Sequence, residues 1–347
     1  MRESRLVETI VAEDIRDGII NGAAIYAGTV RNDFYRRGFG FAENQLIHPM
    51  TVETVVDVAS VTKVAALITA LLICRSRGLI DFDAPMTDYL PDLQFTLAAP
   101  VRVRDLANHT SGFSDPPGVE PRLYFAESGA QIMRNMLTMP PPFPPSKRAQ
   151  YACWNYLLLT MILERVAGKP FSEFCHEEIF LPLEMADTSL GRPVAVAPER
   201  LAQTILTDAP GQISDHIAKR IYRDGGSTGN AGLFSSAVDL AKLLRCYLRH
   251  GKYANGRLFS EAAFAEIAPD RSGKYDGYRR FGWIIYDRCL DQTAYGDALF
   301  HSGWTGQTVM INFAKDFFGV VLTTRCGDYE RAKADRFAIL NALMAMA

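Results

Sequence analysis

Apolar residues recur at helical spacing near both ends of the chain. In residues 5–20 they fall three to five positions apart, which predicts an amphipathic helix that stops before Gly22. A closing helix is predicted over residues 329–346. We therefore expect a helix at each end of the chain.

Short apolar runs bounded by turn residues lie next to these two helices. Residues 23–31 and 34–41 predict a hairpin, with its turn at 31–33. Three further strands are predicted near the other end, at 282–287, 308–313 and 319–324. Two early strands and three late ones most simply form one antiparallel sheet, which the terminal helices would cover.

The long middle part of the chain has a different pattern, in which helical segments alternate with loops rich in Pro, Gly and Asp. The predicted fold class is therefore α+β. An antiparallel sheet of five or more strands is flanked by the terminal helices, and a mostly helical lobe is added to it. Residues 1–59 and 271–347 would form the sheet lobe, residues 60–270 the helical lobe, and the cleft between them the site.

The composition is that of a globular chain without a charge bias. Of its 347 residues, 48% are hydrophobic and 22% are charged, which excludes a disordered or collagen-like chain. The 37 Lys and Arg residues nearly balance the 39 Asp and Glu residues, so no nucleic-acid partner is predicted. Six scattered cysteines form no Cys-x-x-Cys pair, so we expect free thiols and no metal site.

The start of the chain and its longest apolar run indicate where in the cell the protein is expected. The first five residues lack the apolar stretch of a secretory signal, and the run 64–74 is too short to span a bilayer. We expect a cytoplasmic protein with no membrane span. A mature chain whose signal has been removed would look the same, and would be periplasmic or extracellular. No feature indicates a protein partner.

Ser60 and Lys63 form the single Ser-x-x-Lys of the chain, at the front of the apolar segment 64–74, which predicts a buried helix. Positions i and i+3 share a helix face, so the Lys63 ammonium can reach the Ser60 hydroxyl. A desolvated lysine loses pKa and can accept a proton, which makes a serine nucleophilic without a histidine. From these residues alone, a helix-capping serine beside a surface lysine remains the alternative.

Two further motifs follow, Tyr151-Ala152-Cys153 before a predicted helix and His301-Ser302-Gly303 before a strand. In this order the three motifs resemble the serine β-lactamase and penicillin-binding protein superfamily. The Tyr and His versions resemble its class C branch, which includes β-lactamase-like esterases and D-amino-acid-type peptidases. Further segments also resemble the family, so that the resemblance covers roughly residues 20–325; they are 57–63, 78–85, 103–112 and 229–235.

The resemblance implies a β-lactamase/transpeptidase-like fold and four catalytic residues. Ser60 would be the acylated nucleophile, and Lys63 would accept its proton. Tyr151 would shuttle protons between nucleophile, leaving group and water, with its pKa lowered by the Lys63 ammonium. His301 stands where many relatives have lysine, and would orient the substrate or assist Tyr151.

The resemblance also implies a set of substrate-binding residues. The oxyanion hole would use the backbone N–H groups of Ser60 and Trp304. Gly303 would let the substrate lie along the strand, with Ser302 beside it. Cys153 replaces the asparagine of the family's Tyr-x-Asn, and a thiol is a poor substitute for a carboxamide that reads an acylamino group.

These residues imply a serine hydrolase that needs neither metal nor cofactor and forms an acyl-enzyme on Ser60. Its substrate would be a small-molecule ester, amide or β-lactam. Esters are favoured, because of Cys153 and because no export signal places the chain near cell-wall peptide. One alternative is a D-alanyl-D-alanine carboxypeptidase or a weak class C-type β-lactamase. The alternative from another class is a non-catalytic, penicillin-binding-like pseudoenzyme that binds a ligand.

Overall fold

The strands of the fold come from both ends of the chain and from its middle. A computed structural model describes residues 2–91, 93, 100–115, 128–138, 140–145, 149–205, 207, 209–268, 279–285 and 298–347. The strands are β1 (Ile20–Gly28), β2 (Asp33–Gly40), β3 (Val56–Asp57), β4 (Ser189–Leu190), β5 (Leu233–Ser235), β6 (Lys252–Tyr253), β7 (Gly256–Arg257), β8 (Arg279–Arg280), β9 (Trp283–Ile284), β10 (Ala298–Gly303), β11 (Gln307–Asn312) and β12 (Phe317–Arg325).

Helices occupy the two termini and most of the middle. They are α1 (Arg2–Arg16), α2 (Thr69–Ser76), α3 (Val103–Ala107), α4 (Gly129–Thr138), α5 (Cys153–Ala167), α6 (Phe171–Cys175), α7 (His216–Arg223), α8 (Ala237–Leu248), α9 (Glu261–Phe264) and α10 (Tyr329–Met344). Short 3₁₀ segments lie at Ala59–Val61, Met86–Asp88 and Pro198–Arg200, and π-helical segments at Lys63–Ile68 and His176–Phe180.

The main sheet joins the start of the chain to its end. Seven described strands pair in the order β2-β1-β12-β11-β10-β9-β8, and every pair is antiparallel. Alternate residues of β1 enter different clusters, because successive side chains of a strand point to opposite faces. Ala24 and Tyr26 pack towards the helical region, whereas Ala23 and Ile25 pack under α1 and α10. Both faces of the sheet are therefore covered.

The α+β class, the antiparallel sheet and its helical cover are confirmed. The seven strands fit the expected five or more, and β8 and β10 are the two that are not among the five marked in the sequence. The predicted strand 282–287 is represented by β9, and its last two residues lie outside the described residues, as does the expected lobe boundary at 270/271. Among the described cysteines all are free, and Cys289 lies outside them.

The segment Ala59–Ser76 is the buried helix that the sequence predicts, but it is not a regular α-helix. It begins as a 3₁₀ turn, continues through a π-helical stretch and ends in α2. By length and composition it could cross a membrane, yet 83% of it is buried inside the fold. It is therefore the central helix of the core, and its irregular first turns carry Ser60 and Lys63.

A second sheet fixes where this segment begins. In it, β5 lies between β3 and β4, and Asp57 pairs with Phe234. Just beyond β3, the Val58 N–H donates to the Leu233 carbonyl at 3.0 Å. The chain then turns directly into the 3₁₀ segment, so the small sheet sets the position of Ser60.

Candidate active site

Ser60, Lys63 and Tyr151 meet although Tyr151 lies far from the other two in sequence. The Ser60 Oγ is 2.7 Å from the Tyr151 hydroxyl and 3.1 Å from the Lys63 Nζ. The first turn of the core helix supplies the serine and the lysine, while the segment before α5 supplies the tyrosine. The structure thus brings together a hydroxyl nucleophile and two groups that can exchange its proton.

Lys63 is fully buried, and its ammonium group has an acceptor for each of its protons. Besides Ser60, it donates to the Asn230 carbonyl at 2.7 Å and lies 3.8 Å from the Cys153 Sγ. Burial lowers the pKa of Lys63. Cys153 and Tyr151, which can carry negative charge, raise it by more, so that the pKa lies above its ordinary value. The three acceptors around Nζ match the three N–H groups of an ammonium ion.

Tyr151 is held by aromatic and cationic neighbours. Its ring packs against the ring of His109 at a tilt of 37°, with the centroids 4.6 Å apart, and the Arg279 guanidinium lies 5.4 Å from its centroid. Although 40% of the residue is exposed, burial of its hydroxyl raises the pKa of Tyr151, and the opposing effect of Lys63 is smaller. Tyr151 is therefore a neutral phenol at rest.

These two pKa directions differ from the expectation. From the sequence, desolvation is expected to lower the pKa of Lys63, and the Lys63 ammonium is expected to lower the pKa of Tyr151. In the structure, Lys63 does lower the pKa of Tyr151, but desolvation raises it by more; Cys153 and Tyr151 raise the pKa of Lys63 against the effect of burial. The contacts fit an ammonium at Lys63 and a phenol at Tyr151, with the Ser60 hydroxyl between them.

The residue before the nucleophile has a strained backbone. Ala59 has a φ of +46°, a left-handed conformation that is costly for a residue with a side chain. The buried Asp57 carboxylate accepts its N–H at 3.0 Å, and also accepts the N–H of Ser214 at 2.7 Å and its hydroxyl at 2.6 Å. Asp57 thus ties the nucleophile turn to the segment that precedes α7.

A second chain of hydrogen bonds reaches Lys63 from the same segment. The Asp215 carboxylate caps α7 by accepting the Ala218 N–H, and it also accepts from the Asn230 side chain at 3.1 Å. The Asn230 carbonyl in turn accepts from Lys63. Asp215, for which the sequence suggests no role, therefore helps to orient the acceptor of Lys63.

The start of α5 is capped from outside the helix. The Asp115 carboxylate accepts the N–H groups of Cys153 and Trp154, at 2.8 and 3.3 Å. The Nδ1 of His109 accepts the Ala152 N–H at 3.1 Å, which leaves the ring proton on Nε2. Together these contacts fix the backbone on both sides of Cys153, and so fix the tyrosine just before it.

Gly303 lies against the nucleophile turn and not against open space. A side-chain carbon at this position would stand 2.7 Å from the Val58 carbonyl oxygen and 3.2 Å from the Ala59 Cβ. The expectation that Gly303 makes room for the substrate stays a prediction. Its missing side chain lets β10 approach the turn that carries Ser60.

His301 and Ser302 point to opposite faces of β10. His301 faces the helical side, where it is buried, and its Nδ1 lies 3.1 Å from the Ser302 carbonyl. Burial, together with the charges of Arg279 and Lys63, holds the pKa of His301 well below its usual range, so the ring is neutral.

Ser302 has a hydrogen-bond partner on the other face of β10. Its hydroxyl lies 3.0 Å from the Thr308 hydroxyl, which also accepts from the buried Arg336 of α10. The expectation of Ser302 as a substrate-binding side chain stays a prediction, although its hydroxyl already has this partner. Strand alternation gives it this partner, because His301 and Gly303 share one face and Ser302 has the other.

Trp304 follows at the end of β10, with 53% of its surface exposed. Its indole stacks on Tyr329, with the ring centroids 4.8 Å apart, and the Arg325 guanidinium lies 5.2 Å from the indole centroid. The oxyanion hole expected at the backbone N–H groups of Ser60 and Trp304 stays a prediction, with Ser60 in the first turn of the core helix and Trp304 directly after β10.

Sequence reasoning missed the residues that hold the reacting groups in place. Asp57 and Asn230 stand inside segments that resemble the family, but their contacts depend on long-range packing. Asp115 has the residue type of a helix cap, yet it lies 38 positions from the helix that it caps. Among the described residues, no group of three or more His, Cys, Asp or Glu side chains is placed to hold a metal ion.

The fold and the serine, lysine and tyrosine together define a class of protein. The family model described as Beta-lactamase matches residues 7–344, which is nearly the whole chain. The chain therefore belongs to the β-lactamase family, whose fold it shares with penicillin-binding protein homologues and serine hydrolases.

Individual relatives carry several different activities. The N-acetylmuramyl-L-alanine amidase of Bacillus subtilis (strain 168) is 27% identical over 363 aligned residues, which cover 93% of this chain and 81% of that one. EstCE1, a hydrolase with promiscuous acyltransferase activity, superposes with a TM-score of 0.79 at 19% identity, covering 97% of this chain and 98% of its own. The Beta-lactamase/D-alanine Carboxypeptidase from Yersinia pestis gives 0.72 at 19% identity, with 98% of both chains covered.

Proposed function

We propose that this chain is a serine hydrolase that forms an acyl-enzyme on Ser60 and hydrolyses carboxylic esters. The observation that carries the proposal is the position of the Ser60 Oγ, within hydrogen-bond distance of both the Tyr151 hydroxyl and the Lys63 ammonium. A pseudoenzyme has no need to keep all three groups in contact. The intact arrangement therefore favours turnover over ligand binding alone.

The resting protonation states support a proton relay. As the Ser60 Oγ attacks the ester carbonyl carbon, its proton moves to the Tyr151 oxygen in the same step in which Tyr151 releases its own proton, so that no oxonium ion forms. Tyr151 passes its own proton to the departing alkoxide, so that the phenol stays neutral overall and the alcohol leaves. Water then attacks the acyl-enzyme through the same relay in reverse, which releases the acid and restores Ser60.

Lys63 and two backbone groups support the charge that develops during this reaction. The Lys63 ammonium donates to the Ser60 Oγ, which stabilises that oxygen as its proton departs. The backbone N–H groups of Ser60 and Trp304 would receive the oxyanion of the tetrahedral intermediate. Removing one such donor costs about 10²–10³ in kcat in other serine hydrolases.

Cys153 supports esters over amides as substrates. Burial raises the pKa of its thiol to about 12, so Cys153 is a neutral side chain and no competing nucleophile. It lies beside Lys63, where the family's asparagine would offer a carboxamide to an acylamino group. An ester needs no such contact, and the fold neighbour EstCE1 is itself a hydrolase with acyltransferase activity.

A D-alanyl carboxypeptidase or weak β-lactamase activity is the second candidate. It is favoured by the fold neighbour from Yersinia pestis, which is described as a Beta-lactamase/D-alanine Carboxypeptidase. The relative from Bacillus subtilis also acts on an amide, as its name states. On either activity Ser60 would still be acylated, so the two candidates differ in substrate and not in nucleophile.

Steady-state hydrolysis of p-nitrophenyl butyrate tests the proposal. Wild type should turn over, Ser60→Ala should fall to the background rate, and Ser302→Ala should stay within about twofold because its hydroxyl faces the other side of β10. Equal rates in wild type and Ser60→Ala would remove Ser60 from the mechanism. If neither hydrolyses esters, the intact mass after exposure to penicillin separates the second candidate, which gains an adduct on Ser60, from a pseudoenzyme.

A further inference from the structure

A cavity of about 700 Å³ lies in the helical region, and none of its lining residues belongs to the group around Ser60. Its volume is within the range of small-molecule sites in proteins. The lining comes from α7, the end of β4 and the glycine-rich turn that follows α7. It comprises Ser172, Leu190, Gly191, Arg192, Ala209, Pro210, Gly211, Gln212, Ile213, Lys219, Tyr222, Arg223, Gly225 and Gly226.

The inner wall of this cavity is apolar and well fixed. Leu190 and Ile213 contribute aliphatic surface, and the Tyr222 ring lies between Gly191 and Gly232. A side-chain carbon at Gly191 would stand 3.1 Å from this ring, and one at Gly232 only 2.4 Å. The Tyr222 hydroxyl also donates to the Thr228 carbonyl at 3.3 Å. The ring is therefore held in one place as a preformed apolar surface.

The same cavity has a cationic rim and no acidic residue among those that line it. Arg192 and Lys219 are exposed, and neither side chain forms an ion pair with any part of the chain that the structure describes. Arg223 is different, because its guanidinium contacts Asp224 at 3.3 Å. Two cations without ion-pair partners thus stand beside an apolar wall.

We propose that this cavity binds an amphipathic carboxylate, whose apolar body lies against Tyr222 and whose charged group is met by Lys219 and Arg192. An inorganic anion would gain nothing from the apolar wall, and a neutral apolar molecule would gain nothing from the cations. A carboxylate with an apolar tail uses both features. The proposal does not depend on the reaction at Ser60.

Isothermal titration calorimetry with octanoate provides the test, with acetate, inorganic phosphate and 1-octanol as comparison probes. Octanoate should bind more tightly than each of the other three, because only octanoate carries both an apolar tail and a negative charge. If phosphate bound as tightly as octanoate, the cations alone would account for the binding, and the proposal would be overturned. An absence of octanoate binding would overturn it as well.

Three variants locate the binding. Lys219→Met keeps the length of the side chain and removes its charge, and should weaken octanoate binding about fivefold, as expected for one partly exposed charge contact. Ala209→Leu adds bulk to the lining and should abolish it. Lys315→Met makes the same chemical change on an exposed turn outside the cavity, and should have no effect. Octanoate that binds equally well to all three variants binds elsewhere, most directly at Ser60 as a reaction product, and refutes the proposed site.

Discussion

Replacement of Asp57 by asparagine tests whether Asp57 positions Ser60 or only stabilises the fold. The Asp57 carboxylate accepts three hydrogen bonds, two from Ser214 and one from the N–H of Ala59. An asparagine has one oxygen, which can keep the two bonds to Ser214. Its amino group then faces the Ala59 N–H, and two donors cannot bond to each other.

The expected loss follows from these contacts. A hydrogen bond to a charged group contributes about 1.5–3 kcal/mol, and the buried carboxylate is itself costly, since burial raises the pKa of Asp57. We expect the free energy of unfolding to fall by about 2 kcal/mol. Ala59 loses the acceptor that holds its left-handed backbone, so Ser60 shifts. A misplacement of about 1 Å can cost about 10² in rate, and we expect kcat/KM to fall by that factor.

Urea unfolding and ester kinetics without denaturant measure the two effects separately. Asp239→Asn is the matched control, because Asp239 is also buried and accepts the Asp187 N–H at 2.8 Å and the Thr188 hydroxyl at 2.9 Å. It should lose similar stability and keep its kcat/KM. If Asp57→Asn retains kcat/KM within threefold while losing stability like the control, the argument that Asp57 positions Ser60 is refuted.

The remaining predictions concern the relay and the walls of the site. Because the pKa of Tyr151 is raised and that of His301 is lowered, neither group changes charge near neutrality, so kcat/KM should be constant within about twofold from pH 6.5 to 8.5. A sigmoidal rise centred near pH 7 would contradict the neutral relay. Gly303→Ala should lower kcat/KM by about 10², since its new carbon collides with the Val58 carbonyl; wild-type kinetics would show that β10 can move away freely. Cys153→Asn should increase the rate of acylation by a penicillin, as followed by intact mass, and an unchanged rate would make Cys153 a packing residue only.

Short motifs in the sequence predict that Ser60, Lys63 and Tyr151 lie together, and in the structure they do. Ser60 and Lys63 are three positions apart, and the helical spacing that places them on one face holds in the irregular turn as well. Tyr151 is predicted from its order in the chain, and the structure places it 2.7 Å from Ser60. These residues need only local geometry and a shared family pattern.

The groups around them could not be predicted in the same way. The pKa directions of Lys63 and Tyr151 depend on which neighbours surround both residues in the dry site. The contact between Asp57 and Ser214 spans 157 positions, which no local pattern encodes. Strand alternation would have given the orientation of Ser302 if residues 298–303 had been predicted as a strand.

The order of strands in the main sheet has a consequence for synthesis. Ile20 in β1 pairs with Arg325 in β12, so the sheet joins the first strand to the last. Contacts between such distant residues form slowly, because a long loop must be closed before they can stabilise the fold. A chain emerging from the ribosome carries Ser60 and Lys63 early, but it must wait for β10 to complete the wall beside them. The surroundings of Ser60 are therefore complete only after the late strands of the sheet have been synthesised.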